Sequence, residues 1–223
     1  MSYEKALIAG KLRRWEKFLD DYRLPKWEDI PDFGLYMEQV IVLLKDYLDY
    51  LPPELKEGPF ITPATINNYV RTKVMPEPVK KRYYRTHIAY LIIIVSLKYN
   101  LSISYIQKLL PVDLTEEELE EFYRSYAAYH EKAASRFIEE IRATAGPILD
   151  HDDTNEHSVS RTEDLITLSA VIGGFCRIFA EKLLNLKDKT LEDGGSIEVR
   201  TSAERKAEEA ARGNAKENKA KKK

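Results

Sequence analysis

The stretch from His87 to Tyr99 constrains the fold more than any other part of the sequence. Its side chains are apolar on nearly all sides of a helix, and not along a single stripe. A helix of this kind must be covered on every side, so the sequence predicts a mainly α-helical bundle with this helix buried in it. Apolar residues spaced at three and four predict further helices over 2–22, 35–51, 115–144 and 163–186.

A short helix precedes the buried one and carries most of the functional interest. Thr62 can act as an N-cap and Pro63 suits a first helical position, so the helix begins there and ends before Pro76. A rotation of about 100° per residue places Ile66, Tyr69 and Val70 on one face, which can pack. The other face is polar and carries Ala64, Thr65, Asn67, Asn68, Arg71 and Thr72.

Charge is distributed unevenly along the chain although the net charge is only −2. Residues 60–110 hold eight Lys or Arg and one acidic residue, whereas residues 1–59 and 111–200 are acidic. A basic segment between acidic neighbours is the pattern of a nucleic-acid reader. The alternative is a solvated helical surface that happens to be basic.

Several motifs in this segment resemble those of a known class. The runs Val74-Met75-Pro76-Glu77-Pro78, Lys81-Arg82-Tyr83-Tyr84 and 101–110 resemble the winged helix-turn-helix of MerR-type transcription regulators. A closer resemblance is to a bacterial family known only as domain of unknown function 1836. It is carried by Leu24-Pro25-x-Trp27, Pro31-Asp32, Leu35-Tyr36-Met37-x-Gln39-Val40, Ile61-Thr62-Pro63-x-x-Ile66-Asn67-Asn68-Tyr69 and His87-Ile88-Ala89-Tyr90-Leu91.

The resemblance implies how the segment would meet DNA. It covers about residues 12–110, and it places the helix from Thr62 to Lys73 in a major groove. The expected base-reading residues are Asn67, Asn68 and Arg71, since Asn can read adenine and Arg guanine. The segment after Pro78 lacks the glycine of a MerR-type wing, so the wing is expected to be short or absent. The expected phosphate contacts are Thr65, Lys73, Lys80, Lys81, Arg82, Tyr84 and Arg85.

The chain after Pro111 has a different character. Residues 111–193 are predicted to form a helical region that dimerises or holds an effector, with the 115–144 helix as a spine or a dimerisation helix. Cys176 is interpreted as a small buried apolar group. The acidic run 150–157 contains two histidines and could bind a metal, but a solvated loop is the favoured interpretation and no metal site is predicted. Residues 194–223 are expected to be a disordered tail.

No catalytic arrangement is found. The sequence has no phosphate-binding glycine loop, no nucleophile elbow and no paired metal motif, so neither an enzyme nor a cofactor is predicted. The absence of a long apolar run, of a signal-peptide pattern and of more than one cysteine predicts a cytoplasmic protein without membrane contact.

The expected function is that of a sequence-specific transcriptional regulator that binds double-stranded DNA as a homodimer. A helical protein-protein interaction scaffold is an alternative. A small-molecule-sensing helical domain without specific DNA binding is another. The sequence does not identify an effector.

Overall fold

A computed structural model describes residues 4–51, 61–149 and 156–190. The chain divides into two units, residues 1–185 and 186–223, and the second is described only up to residue 190. The predicted tail, the acidic run 150–155 and most of the loop before Thr62 lie outside the described residues. The described part is all-α: α1 (Lys5–Asp21), a 3-10 turn (Trp27–Asp29), α2 (Met37–Tyr47), α3 (Pro63–Arg71), α4 (Arg85–Leu97), α5 (Ile103–Leu109), α6 (Glu116–Thr144), α7 (Gly146–Leu149) and α8 (Thr162–Leu184).

Helix α4 forms the centre of the main core, as its apolar pattern predicts. Its residues 87–96 are all buried, and α2, α5 and α6 pack around it. Its few polar groups are satisfied, since the Tyr90 hydroxyl donates to the Pro111 carbonyl at 2.6 Å and the Ser96 hydroxyl donates to the Ile92 carbonyl at 2.8 Å. A fully buried aliphatic side chain contributes about 1.5–3 kcal/mol, so the burial of this helix contributes strongly to stability.

Helix α6 is a spine that contacts both ends of the bundle. Thr115 and Glu118 form a capping box, and the helix extends over 29 residues to Thr144. Its first turns enter the main core through Leu119 and Tyr123, and it also packs against α1. Of the two interpretations of its length, the structure therefore favours the spine.

Two helix starts differ from the sequence-based expectation. Helix α4 begins at Arg85, two residues before His87, because the imidazole Nδ1 of His87 accepts a hydrogen bond from the Tyr84 N–H at 3.1 Å. Helix α8 takes Arg161 as its N-cap, so that Thr162 is its first residue and not its cap.

A second, smaller cluster lies away from the main core and joins α1, α7 and the start of α8 through Ala9, Ala145, Ile148, Leu149 and Leu165. Beyond Leu165 the middle of α8 is exposed, and Cys176 with it. The prediction that Cys176 is buried is therefore wrong, since nothing in the described chain covers this part of the helix. Among the described residues, no helix combines the length and the apolar character needed to cross a membrane.

Candidate nucleic-acid interface

Helix α3 has the two faces that its sequence predicts. Thr62 Oγ1 accepts a hydrogen bond from the Thr65 N–H at 3.1 Å, and the two hydroxyls lie 2.9 Å apart, so Thr65 belongs to the N-terminal cap. Ile66 is fully buried and Tyr69 is 4% exposed, which confirms the packing face. The opposite face is open to solvent and carries Asn67, Asn68 and Arg71.

Two of these polar residues are already joined on the exposed face. The Arg71 Nη2 donates to Asn68 Oδ1 at 2.6 Å, a contact between side chains three positions apart on the helix. This bond holds the guanidinium against the helix surface. The rest of the planar group keeps donors that suit a paired hydrogen bond to a guanine edge or a phosphate.

Helix α3 ends in a tight turn with a lysine in an unusual position. The Val74 N–H donates to the Tyr69 carbonyl at 2.8 Å and the Lys73 N–H donates to the Val70 carbonyl at 3.0 Å, which is a Schellman motif. Lys73 lies at the position where glycine is usual, with φ of 55°. The Gln107 side chain of α5 donates to the Thr72 carbonyl at 3.0 Å and fixes this end of the helix.

Residues 79–82, where a short or absent wing is expected, form a tight hairpin with two residues at its tip. Val79 and Arg82 exchange backbone hydrogen bonds of 3.0 and 2.9 Å, and between them Lys80 and Lys81 have φ of 50° and 63°. Two central residues with positive φ define a type I′ turn, which normally prefers Asn and Gly. A side chain in the left-handed region costs roughly 1–2 kcal/mol, so the two lysines are held at the tip against their intrinsic preference.

Three residues of the segment 34–36 anchor the hairpin. Leu35 and Tyr83 exchange backbone hydrogen bonds of 2.8 and 2.9 Å. The Arg82 guanidinium lies 3.5 Å from the centre of the Tyr36 ring and donates to the Gly34 carbonyl at 3.2 Å. Gly34 is needed for this close approach, because a Cβ there would lie 2.9 Å from the Arg82 Cβ.

Residues 84–87 attach the hairpin to α4 and to the main core. Tyr83 is 2% exposed and belongs to the main core, whereas Tyr84 is half-buried. The Arg85 Nε donates to the Ile30 carbonyl at 3.0 Å, and its Nη1 lies 3.8 Å from an Asp32 carboxylate oxygen. The His87 Nε2 lies 2.9 Å from the Glu77 carbonyl, which connects the hairpin to α4.

The predicted DNA-contacting residues therefore divide into two groups. Arg82, Tyr84 and Arg85 lie partly buried in contacts within the chain, where they support the hairpin. The basic residues of the segment that are exposed lie on α3, in its terminal turn, at the hairpin tip and on α5: Arg71, Lys73, Lys80, Lys81 and Lys108. Lys98, at the end of α4, is partly buried, and this burial lowers the pKa of its ammonium group.

The sequence-based interpretation missed the residues that position this surface, namely Gly34, Tyr36 and Gln107. Each acts on a residue more than 30 positions away in the chain, and a local pattern carries no signal for such a pair. The weak signal available was the Gly-Leu-Tyr order before α2, where a glycine stands next to a residue of the family motif. The described residues contain no group of three or more His, Cys, Asp or Glu that could hold a metal ion.

Comparison with known proteins gives one match. The model of the family described as Domain of unknown function (DUF1836) matches residues 25–131, just under half of the chain. This supports the resemblance to that family and extends it through the first half of α6. No curated protein and no solved structure matches the chain.

Proposed function

We propose that this protein is a sequence-specific, DNA-binding transcription regulator that acts as a homodimer. The observation that carries the proposal is the surface formed by the polar face of α3 and the lysine hairpin. Asn67, Asn68 and Arg71 are exposed on a helix whose other face is fixed in the core. Two lysines are retained at the hairpin tip in conformations that favour glycine.

The roles divide between reading and positioning. The side chains of α3 would contact base edges in a major groove, where Asn suits adenine and Arg suits guanine. Lys73, Lys80 and Lys81 would contact phosphates on either side. Lys73 and Lys80 are seven residues apart, so their Cα atoms are within about 25 Å of each other, a distance that a groove and its flanking phosphates can accommodate.

Salt dependence tests DNA binding itself. Four to eight phosphate contacts per dimer would give a slope of roughly −4 to −7 in log K against log salt. Fluorescence anisotropy with labelled duplex DNA at several salt concentrations measures it. An affinity that is flat across salt, or no binding at low salt, contradicts the proposal.

Two substitutions separate reading from positioning. Arg71→Ala is expected to lose about 1–3 kcal/mol on a duplex enriched from a random pool and to relax preference at one base pair. Lys81→Ala should weaken all duplexes about equally and reduce the salt slope by about one. Arg136→Ala and Lys132→Ala on the exposed surface of α6 are the matched controls and should leave both quantities unchanged.

An interaction scaffold is a second candidate, favoured by a separate apolar groove. Its volume is about 480 Å³, and it lies between the segment 31–35 and α2, with Glu38 and Asp46 at its edge. Phe33 and Val42 line it and are 66% and 60% exposed, so apolar surface is available for a partner. Phe33→Ser should abolish partner binding under this alternative, and it should leave DNA affinity unchanged under the proposal.

A further inference from the structure

The middle of α8 is not covered by any other part of the described chain. Every residue from 169 to 179 is exposed, over three successive turns. Among the described residues, the helix is held near its ends, by Leu165 in the small cluster and by Ala180 and Leu184 against the main core. Just beyond it, the Asn185 side chain donates to the Tyr105 hydroxyl at 3.0 Å.

The composition of this exposed part does not suit contact with water. Residues 169–179 include one charged side chain, Arg177, which is paired with Glu181 at 2.9 Å. Phe175 and Phe179 are 68% and 64% exposed and leave roughly 200–300 Å² of aromatic surface in solvent. Val171, Ile172 and Ile178 enlarge this patch, and an apolar patch of such size marks an interaction surface.

The residues along one line of α8 have the spacing of a coiled-coil seam. Their positions alternate in steps of four and three, which keeps them on one side of the helix. The two ends of the seam are oppositely charged and its interior is apolar. The seam consists of Asp164, Leu168, Val171, Phe175, Ile178 and Lys182.

This seam is self-complementary when it is reversed. A two-fold axis at position 173 places Leu168 opposite Ile178 and Val171 opposite Phe175 of a second helix. The same operation places Asp164 of one copy opposite Lys182 of the other, so that oppositely charged side chains attract each other at both ends of the interface. Parallel pairing would instead place Asp164 against Asp164 and Lys182 against Lys182, which is repulsive.

We propose that α8 is the interface between two copies of this chain, paired antiparallel through this seam with the two-fold axis at the level of residue 173, whose glycine itself lies on the side of the helix away from the seam. The proposal deepens the homodimer of the proposed function and rests on it, but it does not require DNA binding. An isologous contact of two such faces buries the exposed Phe175 ring of both copies at once, with Phe179 beside the seam. A standard interface buries about 800 Å² per partner, and the seam supplies three apolar turns with Phe175 near their middle toward that area.

Light scattering on the full chain at several concentrations tests the interface. The wild type should be dimeric, and Phe175→Glu should be monomeric with an unchanged circular dichroism spectrum. Ile166→Glu is the matched control, because Ile166 is 50% exposed on the opposite side of the same helix, and it should remain dimeric. A monomeric wild type at all concentrations overturns the proposal, as does a dimeric Phe175→Glu variant.

Charge reversal tests the antiparallel arrangement. Asp164→Lys and Lys182→Asp should each weaken the dimer roughly tenfold, because each dimer contains the pair twice, and the double variant should restore it. Glu163→Lys is the control, since it changes the same helix end but lies off the seam. If Asp164→Lys has no effect, or the double variant is no better than the single ones, the helices do not pair in this way.

Two further measurements distinguish dimerisation through α8 from membrane binding and from the proposed DNA-binding function. Binding of the wild type to phosphatidylglycerol vesicles, with loss of the dimer, would show that the exposed face of α8 binds a membrane surface and not a second copy, and it would overturn the proposal. Phe175→Glu should lose affinity for a palindromic duplex and keep affinity for a half-site. If the wild type is dimeric through α8 but binds no DNA, the proposed function fails and the interface stands.

Discussion

Helices α4 and α8 are both strongly apolar, yet they have opposite environments. Residues 87–96 of α4 are buried on every side, whereas residues 169–179 of α8 are exposed on every side. The difference lies in the neighbours that the same chain supplies: α2, α5 and α6 surround α4, while the described chain holds α8 only near its ends. An apolar pattern therefore predicts that a helix will be covered, but it does not predict which molecule covers it.

The largest expected effect comes from truncating one isoleucine in each helix. Ile92 is fully buried, so Ile92→Ala should lower the free energy of unfolding by about 2–5 kcal/mol. Ile172 is 41% exposed, so Ile172→Ala should change it by less than about 0.5 kcal/mol at a concentration where the protein is monomeric. Urea denaturation measures both, and equal losses would show that α8 is covered within a single chain.

The contrast also explains how far the sequence could predict the fold. The local signals were sufficient for α6, whose cap at Thr115 and last residue Thr144 agree with the predicted range 115–144. They were equally sufficient for α3, where Thr62 caps the helix and Pro63 begins it. They were not sufficient for Cys176, because its burial depends on long-range neighbours and not on the apolar residues beside it.

At the candidate site, too, the sequence predicted local features but not long-range contacts. Helical periodicity alone separated the buried Ile66 from the exposed Asn67 and Asn68. It could not show that Arg82 stacks on Tyr36, because the two residues are 46 positions apart. It also could not show that a hairpin without glycine would still form, since the turn depends on the left-handed backbone of Lys80 and Lys81.

Hydrogen exchange should distinguish the two helices by the protection of their amides in the monomer. The amides of α4 should exchange only through global unfolding, so they should be better protected than those of residues 169–179 when the protein is monomeric. Because the unfolded chain does not associate, their protection should also rise on dimerisation. The amides of residues 169–179 should gain about 2.7 kcal/mol of protection when the free monomer is present at about 100 times the dissociation constant of the dimer. Mass spectrometry of exchanged peptides at two protein concentrations makes the comparison. Concentration-independent protection of residues 169–179 would contradict it.

Replacing a glycine with alanine should change stability in opposite directions in the exposed helix α8 and at the crowded hairpin. A Cβ at Gly173 meets no atom within 4 Å, so Gly173→Ala should stabilise the helix by about 0.5–1 kcal/mol. At Gly34 the added Cβ would meet the Arg82 Cβ at 2.9 Å, so Gly34→Ala should destabilise the hairpin. Thermal melts of the two variants measure the difference. Destabilisation of the dimer by Gly173→Ala would show that the glycine faces a partner helix.

The smallest expected effect is a pH dependence that belongs to the main core and not to α8. His130 lies among the rings of Tyr22, Tyr50 and Tyr126, with the Tyr50 centroid 4.9 Å away, and burial lowers its pKa below the usual value of 6.5. As the pH falls through 6.5, the unfolded chain takes up a proton that the folded protein does not yet accept, so the free energy of unfolding decreases.

Replacement of this histidine isolates its contribution. His130→Phe keeps an aromatic ring against the tyrosines and removes the titration, so its Tm should fall less than that of the wild type between pH 7.5 and pH 5.5. Residues 162–184 contain no histidine, so association through α8 should be the same at both pH values. Light scattering beside the thermal melts checks both statements. If the dimer dissociates on acidification while the Tm difference between the two proteins stays constant, the titrating group contacts α8 and the aromatic cluster around His130 is not the pH-sensitive part of the fold.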